Sequence, residues 1–223
     1  MTSPEEHFDK IAREYDYWKD KNPYYYDALK TLLRSLIPPH SRVVEIGCGT
    51  GDLLEAVQPI EGKGVDISET MVLLARARHT NNPELSFERV DLLAGSTFFP
   101  QEYLFTVDVL EHVKPLDIFL ESVARSMAPG ATLVVTLANP FWEWLLMLTE
   151  KLGMKMPEGP HWRLSIKKNE ELYRRAGFSL AEKGFRLLIP KRRPCSDWIN
   201  ARFYKNRLLA PYGFIVYWVL EKK

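Results

Sequence analysis

The chain has 223 residues, 46% of them hydrophobic and 26% charged, with a formal net charge of +1 at pH 7. That composition suits one globular domain and excludes a fibrous, low-complexity or disordered chain. It also removes any global electrostatic pull toward nucleic acid, so anions must be recognised by local patches.

Residues 1–40 read as helical and aromatic, HFDKIAREYDYWKDKN and then PYYYDALKTLLRSLIPP. Leu29, Leu32, Leu33 and Leu36 fall at helical spacing, and Pro38-Pro39 ends the helix. From Arg42 the texture alternates. RVVEIGC reads as a strand and GDLLEAVQPI as a short helix. GKGVDIS is a strand, and ETMVLLARARHTNN is a helix with Ser68 as its N-cap. LSFERVDLLA and YLFTVDVLEHV are strands, and PLDIFLESVARSMAPG is a helix between a proline and a glycine. TLVVTLANP is a strand. This alternation predicts an α/β fold, a doubly wound, mostly parallel sheet with helices on both faces.

The rhythm then changes. FWEWLLMLTEKLG (141–153) predicts an apolar, tryptophan-rich helix, MKMPEGPHWRLS a loop, IKKNEELYRRAGF a helix and SLAEKGFRLLIP a strand. Residues 191–210 read as basic and irregular. GFIVYWVLEKK is a strand too near its predecessor for a helical crossover, so it should return antiparallel. We read one domain over 1–223: a helical lid (1–40), a cofactor half (41–140) and an acceptor half (141–223) with a basic hairpin insert at 191–210.

Cys48 and Cys195 stand outside any metal-ligand spacing and read as free thiols of a reducing compartment. MTSPEEHFDKIAREYD is too polar for a signal peptide, and no apolar run reaches the ~20 residues that span a bilayer. A cytoplasmic location is expected.

VVEIGCGTGD (43–52) carries the chemistry. A buried strand meets an acid, Glu45, and then Gly47, Gly49 and Gly51 follow at alternate positions. Ligands of open parallel sheets bind beyond the carboxyl ends of the strands, and glycine lets a ligand touch the backbone. A dinucleotide site would need G-x-G-x-x-G, and a P-loop G-x-x-x-x-G-K-[ST]; neither is present. A carboxylate beside a pyrophosphate would be repulsive, so Glu45 suits a cationic ligand. A glycine turn with no ligand is the plain alternative. Against it stand Asp66, ending the second strand and able to accept from a ribose diol, and Asp91, ending the third and able to accept from an adenine amine. Each aspartate alone could be a cap or a turn residue.

EIGCGTG (45–51), GVDIS (64–68), VDLLA (90–94), DVLEHV (108–113) and MAPGATLVVTLANP (127–140) together resemble the class I S-adenosylmethionine-dependent methyltransferases. The resemblance covers roughly residues 40–222. It implies a seven-stranded sheet of order 3-2-1-4-5-7-6, the last inserted strand antiparallel. It implies S-adenosylmethionine as cofactor, with the loop around Gly47, Cys48, Gly49 and Gly51 against its methionine part and Glu45 orienting that part. Asp66 would hold the ribose, Ile67 and Met71 would pack on adenine, and Asp91 with the Leu92 backbone would read the adenine edge. Asp108 would meet the cofactor mainly through its backbone, and Tyr15 or Trp18 of the lid would touch the methionine end.

Methyl transfer is an in-line displacement in which the protein aligns the partners and excludes water; a base helps a hydroxyl acceptor. Glu111 and His112 are the polar candidates near the methyl, with packing and backbone bonding as their structural alternative. The stretch is similar to the acid-x-x-Glu-His turn of quinone-biosynthesis O-methyltransferases, associated there with a divalent metal. Asp108 replaces the expected glutamate, and we expect no metal. The [ND]-P-P-[YF] signature of nucleic-acid and protein amide methyltransferases is missing after the fourth strand. NPF (139–141) follows only the fifth and reads as a strand exit.

Three segments should choose the acceptor. The first is the aromatic N-terminus, with Tyr15, Tyr17, Trp18 and Tyr24–Tyr26. The second is 141–165, whose helix, including Trp142, is core, lid or interfacial; its His161 is a second candidate base and its Arg163 a partner for an acceptor anion. The third is the basic insert with Arg193, a solvated loop or a contact for a phosphorylated or lipid-linked acceptor or an anionic membrane. The function expected is methyl transfer from S-adenosylmethionine to a small molecule, through oxygen in preference to nitrogen or carbon. A non-catalytic adaptor and a nucleotide-cofactor oxidoreductase are the alternatives.

Overall fold

The computed structural model describes residues 3–98, 101–157, 159 and 161–222. Glu158 and Pro160, part of the loop expected before Ile166, lie outside the described residues. Seven strands form one sheet: β1 (Arg42–Ile46), β2 (Glu61–Asp66), β3 (Leu85–Arg89), β4 (Tyr103–Val107), β5 (Thr132–Ala138), β6 (Phe178–Arg186) and β7 (Ile215–Lys222). Their order is β3-β2-β1-β4-β5-β7-β6. The first five run parallel, and β7 is antiparallel to both β5 and β6. This is the expected order and sense.

The described α-helices are α1 (Pro4–Ile11), α2 (Tyr15–Asp20), α3 (Pro23–Leu36), α4 (Asp52–Ala56), α5 (Glu69–Arg78), α6 (Leu116–Ser126), α7 (Glu143–Lys151), α8 (Ile166–Arg175) and α9 (Ser196–Phe203). None of the helices is long and apolar enough to cross a membrane, among the described residues. The inner strands are apolar on both sides because helices cover both faces. In β1 the alternation is visible: Val44 and Ile46 join one core layer with Leu120 and Trp218, while Val43 joins the other with Leu33 and Leu54. The leucine spacing of α3 buries Leu29 and Leu32 against Ile215 and Tyr217. The later part of the segment expected to be a lid is therefore a core helix. Ser68 caps α5 as expected, its Oγ accepting from Met71 N at 3.1 Å.

Two expectations are corrected. β3 and β4 stop short of the stretches read as strand. Asp91 lies in a turn, its carboxylate accepting from Leu93 N (2.9 Å) and Ala94 N (3.2 Å). β4 ends because Asp108 takes a left-handed backbone, φ 53°. A 3-10 turn, Leu110–His112, follows. The 191–210 insert is not an irregular hairpin: it holds α9, so a helix does lie between β6 and β7. Asn200 locks that helix by donating to Ile189 O (3.1 Å) and accepting from Ile189 N (2.9 Å). Pro190, Pro194 and the basic run hide an eight-residue stretch without glycine or proline. Of the three readings left open for α7, core, lid and interfacial, the structure speaks against core, for Leu146 is its single buried residue.

Candidate active site at the carboxyl ends of the strands

The chain reverses direction sharply after β1. Gly47 N and Cys48 N both donate to Val65 O, at 2.7 and 3.1 Å, folding the loop back over β2. Gly47 has φ +75°, and a Cβ there would stand 2.3 Å from Val109 Cγ2. Gly49 has φ +51°, and a Cβ there would lie 3.1 Å from Tyr15 Cε1. Any side chain at either place is strained by backbone and neighbour together. Cys48 turns its thiol into the core, where burial pushes its pKa up; it offers the loop only backbone.

Asp66 at the end of β2 braces this loop. Its Oδ2 accepts from Gly49 N (2.9 Å) and its Oδ1 from Ser68 N (3.0 Å). Burial raises its pKa against those two bonds. Each carboxylate oxygen keeps a lone pair for a further donor. Glu45, 2% exposed, sits under the loop. The Leu54 backbone donates to it, burial raises its pKa and nearby Lys19 opposes that rise. Its Oε2 is buried with no hydrogen-bond partner. An orphaned carboxylate oxygen beside a glycine cradle fits a cationic amino-acid moiety, whose ammonium supplies the absent donor. Elsewhere, Ile67 O accepts from Arg89 Nε at 3.0 Å, while Met71 and Leu92 are buried in the protein's own packing.

Beyond β4 lies a buried ionic cluster. Asp108 Oδ2 accepts from the Tyr25 hydroxyl at 2.6 Å; its Oδ1 is an orphan. Asp108 N donates to Thr136 O at 3.0 Å. Glu111 Oε1 lies 3.5 Å from Arg163 Nη2, and Arg163 also pairs with Glu143. Burial, reinforced by Asp108, pushes the Glu111 carboxyl up to about 7, while Arg163 and Lys155 pull the other way. Burial lowers the Lys155 ammonium to about 8. His112 is buried, its ring edge-on to Phe8 at 5.1 Å. His161 has Nδ1 3.0 Å from Gly159 O and Nε2 3.4 Å from Glu143 Oε1. Glu111, Arg163 and Trp162 line a small crevice with Leu110, Leu116 and Leu137. Among the described residues no group of three or more His, Cys, Asp and Glu is placed to hold a metal ion.

The N-terminal segment covers the loop. Asp9 Oδ1 accepts from Ser68 Oγ (2.5 Å) and Thr70 N (3.2 Å), docking α1 on the start of α5. Tyr15 lies over Gly49. Lys19 donates to Thr50 Oγ1 at 2.9 Å and pairs with Asp52, while Arg78 pairs with Asp16 and Asp52.

Of the expected acceptor residues, Arg163 belongs to the cluster, but Glu111 and Glu143 already engage its charge. Trp142 donates its indole N–H to Tyr212 O at 2.9 Å. Arg193 is exposed in the connection before α9. Asn139 of NPF is a buried lock at the exit of β5, donating to Pro211 O (2.9 Å) and Gly213 O (2.7 Å). Sequence reasoning missed Lys19, Glu143 and Lys155, which carry no motif. It also missed His79, whose Nε2 lies 3.1 Å from Thr50 O and whose ring stacks on Phe87 at 5.3 Å. Only the buried face of α5 could have pointed to His79.

Comparison with known proteins places the fold among methyltransferases. Residues 17–183 match a family model described as a methyltransferase domain. The chain is 34% identical, over 50% of its length and 44% of the relative's, to a trans-aconitate 2-methyltransferase of Methylobacterium nodulans. It is 28% identical, over 61% of its length and 57% of the relative's, to a ubiquinone biosynthesis O-methyltransferase of Mesorhizobium japonicum. The chain thus spans about half the length of these curated relatives. Among solved structures, the N-methyltransferase NodS from Bradyrhizobium japonicum with bound S-adenosyl-L-homocysteine superposes with a TM-score of 0.69 at 15% identity, covering 99% of both chains.

Proposed function

Because the chain belongs to the methyltransferase-domain family, in the class I S-adenosylmethionine-dependent group, we propose that it moves the methyl group of S-adenosylmethionine to an oxygen of a small, largely apolar molecule. The observation that carries this reading is the pairing of the glycine loop with the orphaned Oε2 of Glu45. When bound, the cofactor supplies an activated methyl on a positively charged sulfur.

The chain's own residues then have three tasks. Glu45 receives the ammonium of the methionine part, and the bare Cα atoms of Gly47 and Gly49 let that part lie against backbone. Asp66 takes the ribose hydroxyls on its remaining lone pairs while still holding Gly49 and Ser68. Ile67 lies beside the adenine, and Asp91 with Leu92 borders its edge. Met71 shapes the floor from within the core. Tyr15, over Gly49, excludes water from the methionine end.

At the acceptor end Glu111 takes the proton that a hydroxyl acceptor must lose. Its carboxyl, pushed up to about 7, is poised to gain and release a proton near neutral pH. Arg163 orients Glu111, and Asp108, fixed by Tyr25, keeps its affinity for a proton high. His112 stands next to Glu111 as the second candidate. His161, with both ring nitrogens engaged, positions Glu143 and Arg163. The crevice between Leu110, Leu137 and Trp162 favours an apolar acceptor, and neither Trp142 nor Arg193 is part of its lining.

The test is a metabolite screen with methyl-labelled cofactor, run beside calorimetric binding of S-adenosylhomocysteine. Labelled O-methyl products whose formation falls with Glu111→Gln support the reading. Binding with no transfer to any acceptor would favour a non-catalytic adaptor, and products methylated only on nitrogen would overturn the oxygen assignment.

A further inference from the structure

We propose that α7 and the α9 connection together form a docking surface for an anionic lipid bilayer, independent of the transfer chemistry.

Trp144 and Leu148 share one side of α7, and Phe141 in the turn before it and Leu152 at its C-cap continue the three- or four-residue spacing. All four are exposed, Trp144 by 62% and Leu152 by 64%, and Met147 and Met154 beside them are exposed as well. The opposite side holds the buried Leu146. A helix anchored by one side and apolar on the other does not gain from solvent, and such patches mark contact sites. Tryptophan suits the boundary of a bilayer, where its ring meets both apolar and wet surroundings.

The stripe continues into a second segment. The rings of Phe141 and Tyr212 meet at 5.0 Å, and the Trp142 bond to Tyr212 O clamps the start of α7 to residues 187–213. That segment exposes Trp198, Leu208 and Leu209, the second of these by 80%. It also carries Lys191, Arg192, Arg193, Arg202, Lys205 and Arg207 against a single acid, Asp197. All six cations are exposed. Among the described residues none of them forms an ion pair with a carboxylate. Asp197 instead accepts from the Tyr24 hydroxyl at 2.8 Å. The chain as a whole is close to neutral, so this local excess is a feature of one segment.

Apolar aromatics to insert, with arginine and lysine for the headgroups, are the two signals that hold a protein on an anionic membrane. Charge argues against a second copy of the chain. A two-fold dimer would set the basic segment near its own image, at a repulsive cost.

Flotation of the full chain with vesicles of phosphatidylcholine alone, and of phosphatidylcholine mixed with phosphatidylglycerol, tests the proposal. The chain should float only with the anionic vesicles and be released by salt. Trp144→Glu with Leu148→Glu should lower the bound fraction by about tenfold or more, as should Arg202→Glu with Lys205→Glu and Arg207→Glu. Both variants should bind S-adenosylhomocysteine as the parent does, which separates lost docking from lost folding. Three results would overturn the proposal: no flotation of the parent, flotation that neither variant weakens, or equal binding to neutral vesicles. So would a parent dimer in light scattering that Trp144→Glu with Leu148→Glu turns into a monomer, since the stripe would then be a protein interface.

Discussion

The Tyr25 hydroxyl donates to Asp108 Oδ2 at 2.6 Å, joining α3 to the strained residue that ends β4. Burial raises the Tyr25 pKa well above its ordinary value, with Asp108 adding to the rise. The phenol therefore remains a donor, and with Arg163, Lys155 and the Ala138 backbone it offsets the burial of the Asp108 carboxylate.

Removing that donor should be costly. Tyr25→Phe is expected to destabilise the chain by about 1–3 kcal/mol, because Asp108 would keep its burial and lose its bond. Urea unfolding measures it. The pair with Asp108→Asn should lose less than the two single variants together, since both remove one interaction. Simple additivity would mean that the bond contributes nothing.

Asp66→Ala should weaken S-adenosylhomocysteine binding by about 1–3 kcal/mol, roughly ten- to a hundredfold, through loss of charge-assisted hydrogen bonds. Calorimetric affinity equal to the parent's would remove the ribose role from Asp66 and leave it as a brace for Gly49 and Ser68.

The Glu111 carboxyl gives stability a pH dependence of defined sign. Its folded pKa, about 7, lies above the ordinary glutamate value. The folded state therefore holds the proton more tightly than the unfolded chain does. The contribution is complete below the ordinary value, near pH 4.5, and is lost as pH rises through about 7. The carboxyls held below their ordinary range, Asp9, Asp16 and Glu170, act at lower pH, whereas Glu45, Asp66 and Asp108, which burial also raises, add to the fall with the same sign, so Glu111 supplies a share of it. Unfolding free energy should fall between about pH 5 and 7, and Glu111→Gln should flatten that fall. An unchanged slope in the variant would assign the effect elsewhere.

Binding a cation beside Glu45 should favour its charged form. Burial holds its pKa well above the usual range in the free chain. Association of S-adenosylmethionine should therefore release protons, and the binding enthalpy should change with the ionisation enthalpy of the buffer. Glu45→Gln should abolish most of that dependence and cost about 1–3 kcal/mol in affinity. A buffer-independent enthalpy in the parent would contradict it.

Gly49→Ala places a methyl 3.1 Å from Tyr15 Cε1 on a left-handed backbone, so it should destabilise by about 1–2 kcal/mol, read as a lower unfolding midpoint. If Tyr15→Ala rescued none of it, the whole cost would lie in the backbone of the loop.

By itself the sequence determined the sheet and the donor. Strand and helix periods alternate from Arg42 to Ala138, and the family motif points to the loop, Glu45, Asp66 and Asp91 as the places where the donor would lie. Local pattern could not show what depends on partners far along the chain. Glu111 meets Arg163 across 52 residues and Asp108 meets Tyr25 across 83. Whether an arginine faces an acceptor or a carboxylate is decided by that packing. The same holds for α7: its composition fits a core helix, a lid or an interfacial one. Only the tertiary structure shows its apolar side turned outward, because Leu146 alone is claimed by the protein. In the α9 connection, prolines and cations mask an eight-residue helix, which needed Asn200 and Tyr24 to fix it in place.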